Sequence, residues 1–199
     1  MLATLTGLGL STAAGLNAYI PMLVVGLLAR FTDLVRLPAE FGWLTNGWIL
    51  AGLAVLLAAE VVLDKIPAVD TVNDAVQTLV RPAAGGAVFA ATDAAERVDA
   101  RIETSSFMQE HAWLGWVLGI VAALAVHAVK ASVRPVIDGG TFGFGAPVVS
   151  TAEDTASLGM SLLAILAPIV ALLLLLLTVW TGYRLLRRRR RRVSGPAPT

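Results

Sequence analysis

The sequence predicts an all-α fold, a polytopic transmembrane helical bundle, and three observations predict it. Of its 199 residues 57% are hydrophobic and only 15% charged, with a mean hydropathy of +0.77, against about 25% charged residues in an ordinary soluble domain. Several stretches are long enough to cross a bilayer, which takes about 20 apolar residues. The basic residues, finally, are segregated: seven of the fifteen lie at Arg184 and in the run Arg187 to Arg192, directly behind the longest apolar segment. That is the position of a stop-transfer anchor touching anionic lipid headgroups, not of a nucleic-acid arm.

Four long spans follow in order. The first runs from Leu5 to Ala29 without a charge and has no basic n-region, so it reads as a retained span. The second covers about Trp43 to Leu63, the third about Trp113 to Val129, and the fourth Thr155 to Tyr183, which at 29 residues tilts, kinks at Pro168 or emerges before its end. Trp43, Trp48, Trp113, Trp116, Trp180 and Tyr183 lie near the span ends, where amphipathic rings prefer the headgroup level. Two connections are predicted as short re-entrant or interfacial segments: Pro82 to Thr92, uncharged but too short to span, and the glycine-rich Val136 to Thr151. Residues 1–186 thus form one integral membrane domain, and 187–199 a basic, disordered tail. Asp93 to Glu110 reads as a polar, solvent-exposed helix or loop. An even number of spans puts both termini on one side, and the arginine tail makes that side the cytoplasm of an inner (plasma) membrane.

The chemistry-bearing residues flank the second and third spans. Glu60 and Asp64 are four apart, hence on one helix face, followed by Lys65 and by Pro67, which ends the helix. Asp70, Asp74, Thr78 and Arg81 then form one polar stripe on a second, short helix. His127, Lys130 and Arg134 recur at i, i+3 and i+7, and Glu153 and Asp154 precede the fourth span. Asn17 lies in the middle of the first apolar stretch, where an amide needs a partner. Ionisable groups beside a membrane span are costly and usually face a cavity or pair with one another. A polar centre joining these residues is expected, although Glu60, Asp64 and Lys65 would also suit a helix leaving the bilayer with wet or snorkelling ends.

A short internal repeat supports two related halves: Ala75 to Pro82 reads AVQTLVRP and Ala128 to Pro135 reads AVKASVRP, each followed by a Gly-Gly pair. In that register His127 stands opposite Asp74, and Arg134 opposite Arg81. Gly115 and Gly119 form a GxxxG pair, which suits close helix packing within the chain or in a homodimer.

No cysteine is present, which excludes disulfides, thiolate metal sites and cysteine nucleophiles. P-loop, HExxH, GxGxxG and GxSxG motifs are all missing, so no catalytic residues and no cofactor are assigned. Four carboxylates leave a hard cation such as Mg²⁺ or Ca²⁺ open.

The stretches GLGLSTAAGLNAYIPMLVVGLLARF, AEVVLDKIPAVDTVNDAVQTLVRPAAGG and VHAVKASVRP, with Glu153-Asp154 before a terminal apolar span, resemble the membrane family of domain of unknown function 4126. The resemblance covers about Gly7 to Leu177 and is most specific at DKIPxxDxxxD. It implies a small bacterial multi-pass membrane protein and supplies no activity. Three functions are open: a small transporter or channel with the charged centre on its path, which the broken and charged segments favour; a structural or assembly protein stapled by its charges; and a membrane enzyme holding a lipid phosphate with a divalent cation.

Overall fold

A computed structural model describes residues 2–99, 111, 113–141, 144–174, 176–177, 180 and 184, and all structural statements below concern these residues. The expected first span is two helices, α1 (Leu2–Leu16) and α2 (Tyr19–Phe31). The break has a local cause. The Asn17 side-chain oxygen accepts from the backbone N–H groups of Tyr19 (3.0 Å) and Ile20 (3.2 Å), and the next residue, Pro21, has no N–H to satisfy. Orphan first-turn donors are therefore capped by a side chain or absent, which starts a new helix. The second span is also bent. A 3₁₀ helix (Ala39–Thr45) meets α3 (Gly47–Leu63) at 58°, and Asn46 caps α3 by accepting from the Trp48 N–H at 2.9 Å.

α3 ends at Leu63, and α4 begins at Pro67, a residue suited to a first helical position. α4 then runs unbroken for 33 residues to Asp99, through Pro82. This corrects two expectations, a short helix ending near Arg81 and a separate re-entrant segment from Pro82 to Thr92. The latter is the packed half of α4, with Ala84, Ala87, Val88, Phe89, Ala90 and Ala91 all buried. Burial of this small-residue surface outweighs the hydrogen bond lost at Pro82.

The glycine-rich Val136 to Thr151 is likewise mostly helical: α5 (Trp113–Thr141) passes Pro135 and Gly139-Gly140, and α6 (Ala146–Leu166) begins soon after, with Pro147 in its first turn. The fourth apolar stretch therefore starts earlier than Thr155. Its break falls at Ala167, whose N–H still bonds to Leu163, one residue before the expected Pro168, where helical backbone resumes.

α1 is the central helix, packed on α4, α5 and α6. Small residues permit the approach. A Cβ on Gly9 would stand 2.6 Å from that of Ala164, one on Gly85 2.5 Å from that of Ala123, and one on Gly119 would collide with the Gly85 carbonyl. Gly119 of the GxxxG pair is thus used inside the chain, between α5 and α4. Hydroxyls tie the same seams: Ser11 donates to the Gly85 carbonyl (2.8 Å) and Ser157 to that of Ala13 (3.0 Å).

The outward surface is apolar. Val55, Leu56 and Val62 of α3, Val117, Val121, Leu124 and Val133 of α5, and Leu158 and Leu166 of α6 are exposed, as are Trp43, Trp48, Trp113, Trp116 and Trp180. Among the described residues one helix, α5, is long and apolar enough to cross a membrane, and the bent 3₁₀–α3 pair makes a second if counted as one span. The expected first stretch falls short because it is split. Asp93 to Asp99 close α4, while residues 100–110, Tyr183, the arginine run and the terminal SGPAPT lie outside the described residues.

Candidate functional site: a buried charge network

Glu60 sits on the last turns of α3 and Asp64 just past its end, and both side chains point inward rather than to solvent. Opposite them, α4 brings Asn73, Asp74, Gln77 and Arg81 onto one face, and α5 brings His127, Lys130 and Arg134 at i, i+3 and i+7. Glu153 enters from α6. Arg81 is fully buried and donates to Glu60 Oε1 at 2.9 Å, with Asp74 Oδ1 at 3.4 Å. Lys130 Nζ faces Glu153 at 3.0 Å, Asp64 at 3.5 Å and Asp74 at 4.0 Å. Arg134 faces the same three carboxylates at 3.5 to 4.0 Å and donates to the Asp64 carbonyl at 3.1 Å.

The network fixes the tautomer of His127. Thr78 gives its only hydroxyl proton to the Asp74 carbonyl (2.9 Å), so at the 3.0 Å contact with His127 Nε2 the ring must donate. Nδ1 is then the acceptor of the Arg81 guanidinium at 2.9 Å. The ring is held neutral between a cationic donor and a hydroxyl. Four carboxylates (Glu60, Asp64, Asp74, Glu153) and three cations (Arg81, Lys130, Arg134) are joined by ion pairs. Glu60 Oε2 and Gln77 Oε1 are buried acceptors without a hydrogen-bond partner among the described residues.

Asp64 is the pivot between α3 and α4. Burial alone would raise its carboxyl, but the Lys130 ammonium, a 2.7 Å hydrogen bond from Asn73 and the Arg134 guanidinium outweigh it and hold it below the ordinary carboxylate value. The broken helix contributes twice. Leu16, the last residue of α1, turns its carbonyl to Lys130 Nζ at 3.4 Å, a cation at a helix C-terminus. Asn17 donates to Asp154 Oδ1 of α6 at 2.9 Å.

Most of the expected centre is therefore assembled: Asn17, Glu60, Asp64, Asp74, Arg81, His127, Lys130, Arg134, Glu153 and Asp154 are linked, and Thr78 closes its exposed edge. Lys65 is not part of it. Its ammonium turns back to the Val61 carbonyl at 2.8 Å. The Asp70 side chain lies outside the described residues. Asn73 and Gln77 were not anticipated, though both share the inward face of the Asp74–Arg81 stripe. The wet-end reading fails for Glu60 and Asp64, each only 2% exposed. Both arginines of the internal repeat, Arg81 and Arg134, enter the network from adjacent helices. Among the described residues no three His, Asp or Glu side chains are placed to hold a metal ion.

A family model described as domain of unknown function (DUF4126) matches residues 4–188. No curated protein and no solved structure matches the chain.

Proposed function

We propose, from the premise that the chain belongs to this DUF4126 family, that it is a small multi-pass membrane transporter or channel whose path runs through the Asp64–Lys130–Arg134 network. The observation that carries the reading is the inversion of charge: the ion pairs are buried while leucine, valine and tryptophan face outward. Such a molecule suits lipid outside and a polar route inside, because ionisable groups at membrane depth face a cavity or one another. Broken helices with a carbonyl and an amide at the break, as at Leu16 and Asn17, are the construction by which membrane proteins present backbone groups to a polar guest. In this reading the termini are cytoplasmic in the bacterial inner membrane, and the arginine tail meets anionic headgroups.

The test is flux in proteoliposomes across a panel of monovalent ions, comparing wild type, Asp64→Asn and Arg81→Ala at equal reconstituted amounts. Flux above protein-free vesicles, lost in both variants, is expected. Wild-type flux equal to that of empty vesicles overturns the reading, and unchanged flux in both variants removes the network from the path. The closure of nearly every charge by an ion pair favours an assembly protein as the second reading. That reading predicts reduced folded yield in the variants and no wild-type flux. An enzyme holding a lipid phosphate through a divalent cation has no such observation in its favour.

A further inference from the structure

Arg81 meets Glu60 through one nitrogen where a guanidinium has the geometry for two. Nε and Nη2 lie along one edge and match the two oxygens of a carboxylate. Nη2 donates to Glu60 Oε1 at 2.9 Å. The other two atoms of that fork, Arg81 Nε and Glu60 Oε2, are buried and have no hydrogen-bond partner among the described residues. Leaving a buried donor and a buried acceptor unmade within one ion pair is costly. On the far side of the guanidinium, Nη1 donates to His127 Nδ1 at 2.9 Å and stands 3.4 Å from Asp74 Oδ1. Because His127 Nε2 gives its proton to Thr78, Nδ1 is the one place where the ring can take another. A proton there would set N–H against N–H, so the proton and the guanidinium exclude each other. Asp74 Oδ1 is within reach of the same Nη1, and a protonated Nδ1 would supply the donor that Asp74 loses when Arg81 turns away.

We propose that His127 Nδ1 is a proton-binding site whose occupancy moves Arg81 from one partner to another. With the ring neutral, the guanidinium is shared between His127 and Glu60. When a solvent proton binds Nδ1, the ring donates to Asp74 and Arg81 closes the two-point fork on Glu60, which satisfies both unpartnered atoms. One N–H bond forms and no other bond to hydrogen breaks. The charged groups facing the ring are Asp74 and Arg81 of α4 and Lys130 of α5 itself, with Glu60 of α3 behind Arg81 and Glu153 of α6 behind Lys130. α1, also packed on α5, carries no ionisable side chain. The inference goes beyond the transport reading: it names the ion to which the network responds, and it stands whether or not a solute passes.

The test is nuclear magnetic resonance of the isotope-labelled full chain in detergent, which has only two histidines, His111 and His127. His111→Gln assigns the His127 ring nitrogens. The Arg81 Nε–H signal is identified by its cross-peaks to the His127 ring and by its absence from Arg81→Lys. At alkaline pH His127 should be the Nε2–H tautomer. As pH falls Nδ1 should gain a proton, and the Arg81 Nε–H signal should move downfield with the same midpoint, as a donor to a carboxylate does. In His127→Phe no ring nitrogen shares the guanidinium, so that signal should stand at its low-pH position throughout. An Nδ1–H tautomer at alkaline pH overturns the proposal, as does a ring that stays neutral down to acid unfolding. An Arg81 signal that stays still while His127 titrates also overturns it, and the wild-type titration decides alone if His127→Phe does not fold. Coupled titration without flux in proteoliposomes retains the proton site and removes transport; flux with a still Arg81 signal removes the proton site's hold on Arg81 and retains transport.

Discussion

Arg81→Met isolates the energetics of the buried network. The Arg81 side chain is fully buried and holds Glu60 at 2.9 Å, His127 at 2.9 Å and Asp74 at 3.4 Å. Its loss strands Glu60, whose Oε2 already lacks a partner, whereas Asp74 keeps Lys130 and Arg134 at 4.0 Å. Removing one partner of a buried pair costs about 3–5 kcal/mol, because the other charge stays desolvated. In a chain of this size that lowers the melting temperature by roughly 6–20 °C. Replacing both partners, Arg81→Met with Glu60→Leu, removes the stranded charge and should recover about 2–3 kcal/mol relative to the sum of the single changes. Equilibrium unfolding in mixed micelles, followed by circular dichroism for wild type, both single variants and the double, gives the coupling directly. Additivity within about 0.5 kcal/mol would refute the reasoning, since it would mean that Glu60 and Arg81 do not depend on each other.

Further predictions address the frame around the network. Gly119→Val should destabilise by about 1–3 kcal/mol or more through collision with Gly85 and Phe89, while Gly52→Ala, with nothing within 4 Å, should stabilise α3 by about 0.5–1 kcal/mol; thermal unfolding compares the two. Asn17→Ala removes the cap on Tyr19 and Ile20 and the bond to Asp154, which should cost about 1–2 kcal/mol and speed amide exchange at the start of α2. Asp64 has a depressed pKa, so its stabilisation is present above the ordinary carboxylate range and is lost as pH falls through the folded value. The stability gap between wild type and Asp64→Asn should therefore shrink below about pH 4, and a gap constant down to strong acid would contradict the pairing.

The membership of the site was largely legible because charge in an apolar chain has few places to go. Four-residue spacing put Glu60 and Asp64 on one face, and the i, i+3, i+7 rhythm of His127, Lys130 and Arg134 supplied their counterparts. What the sequence did not disclose was continuity. Pro82 and the Gly85-Gly86 pair carry every local mark of a break, yet α4 passes through them, because Ser11, Ala123 and Gly119 close around that surface from neighbouring helices. Conversely, Asn17-Ala18 carries no glycine and looked like mid-span glue, yet the helix breaks there. A signal did exist: an asparagine followed by a proline four residues on is a cap followed by a first-turn residue that needs no partner. Lys65 misled by adjacency alone. One position beyond the inward-facing Asp64, past the end of α3, the chain has already turned the next side chain away, to the Val61 carbonyl.

The order in which the chain is made gives the network a second meaning. Asn17 and its partner Asp154 are 137 residues apart, Lys130 and the Leu16 carbonyl 114, and Arg134 and Asp64 70. The amide at the first helix break is synthesised long before its carboxylate exists, and Glu60 precedes Arg81 by 21 residues. None of the helices that carry the network, α3 to α6, reaches its final electrostatic state alone, and the central α1 waits for α6. Closure of the network is thus a late, all-or-none event of maturation, and a truncated or misinserted chain is left with bare charges by which it differs from the finished one.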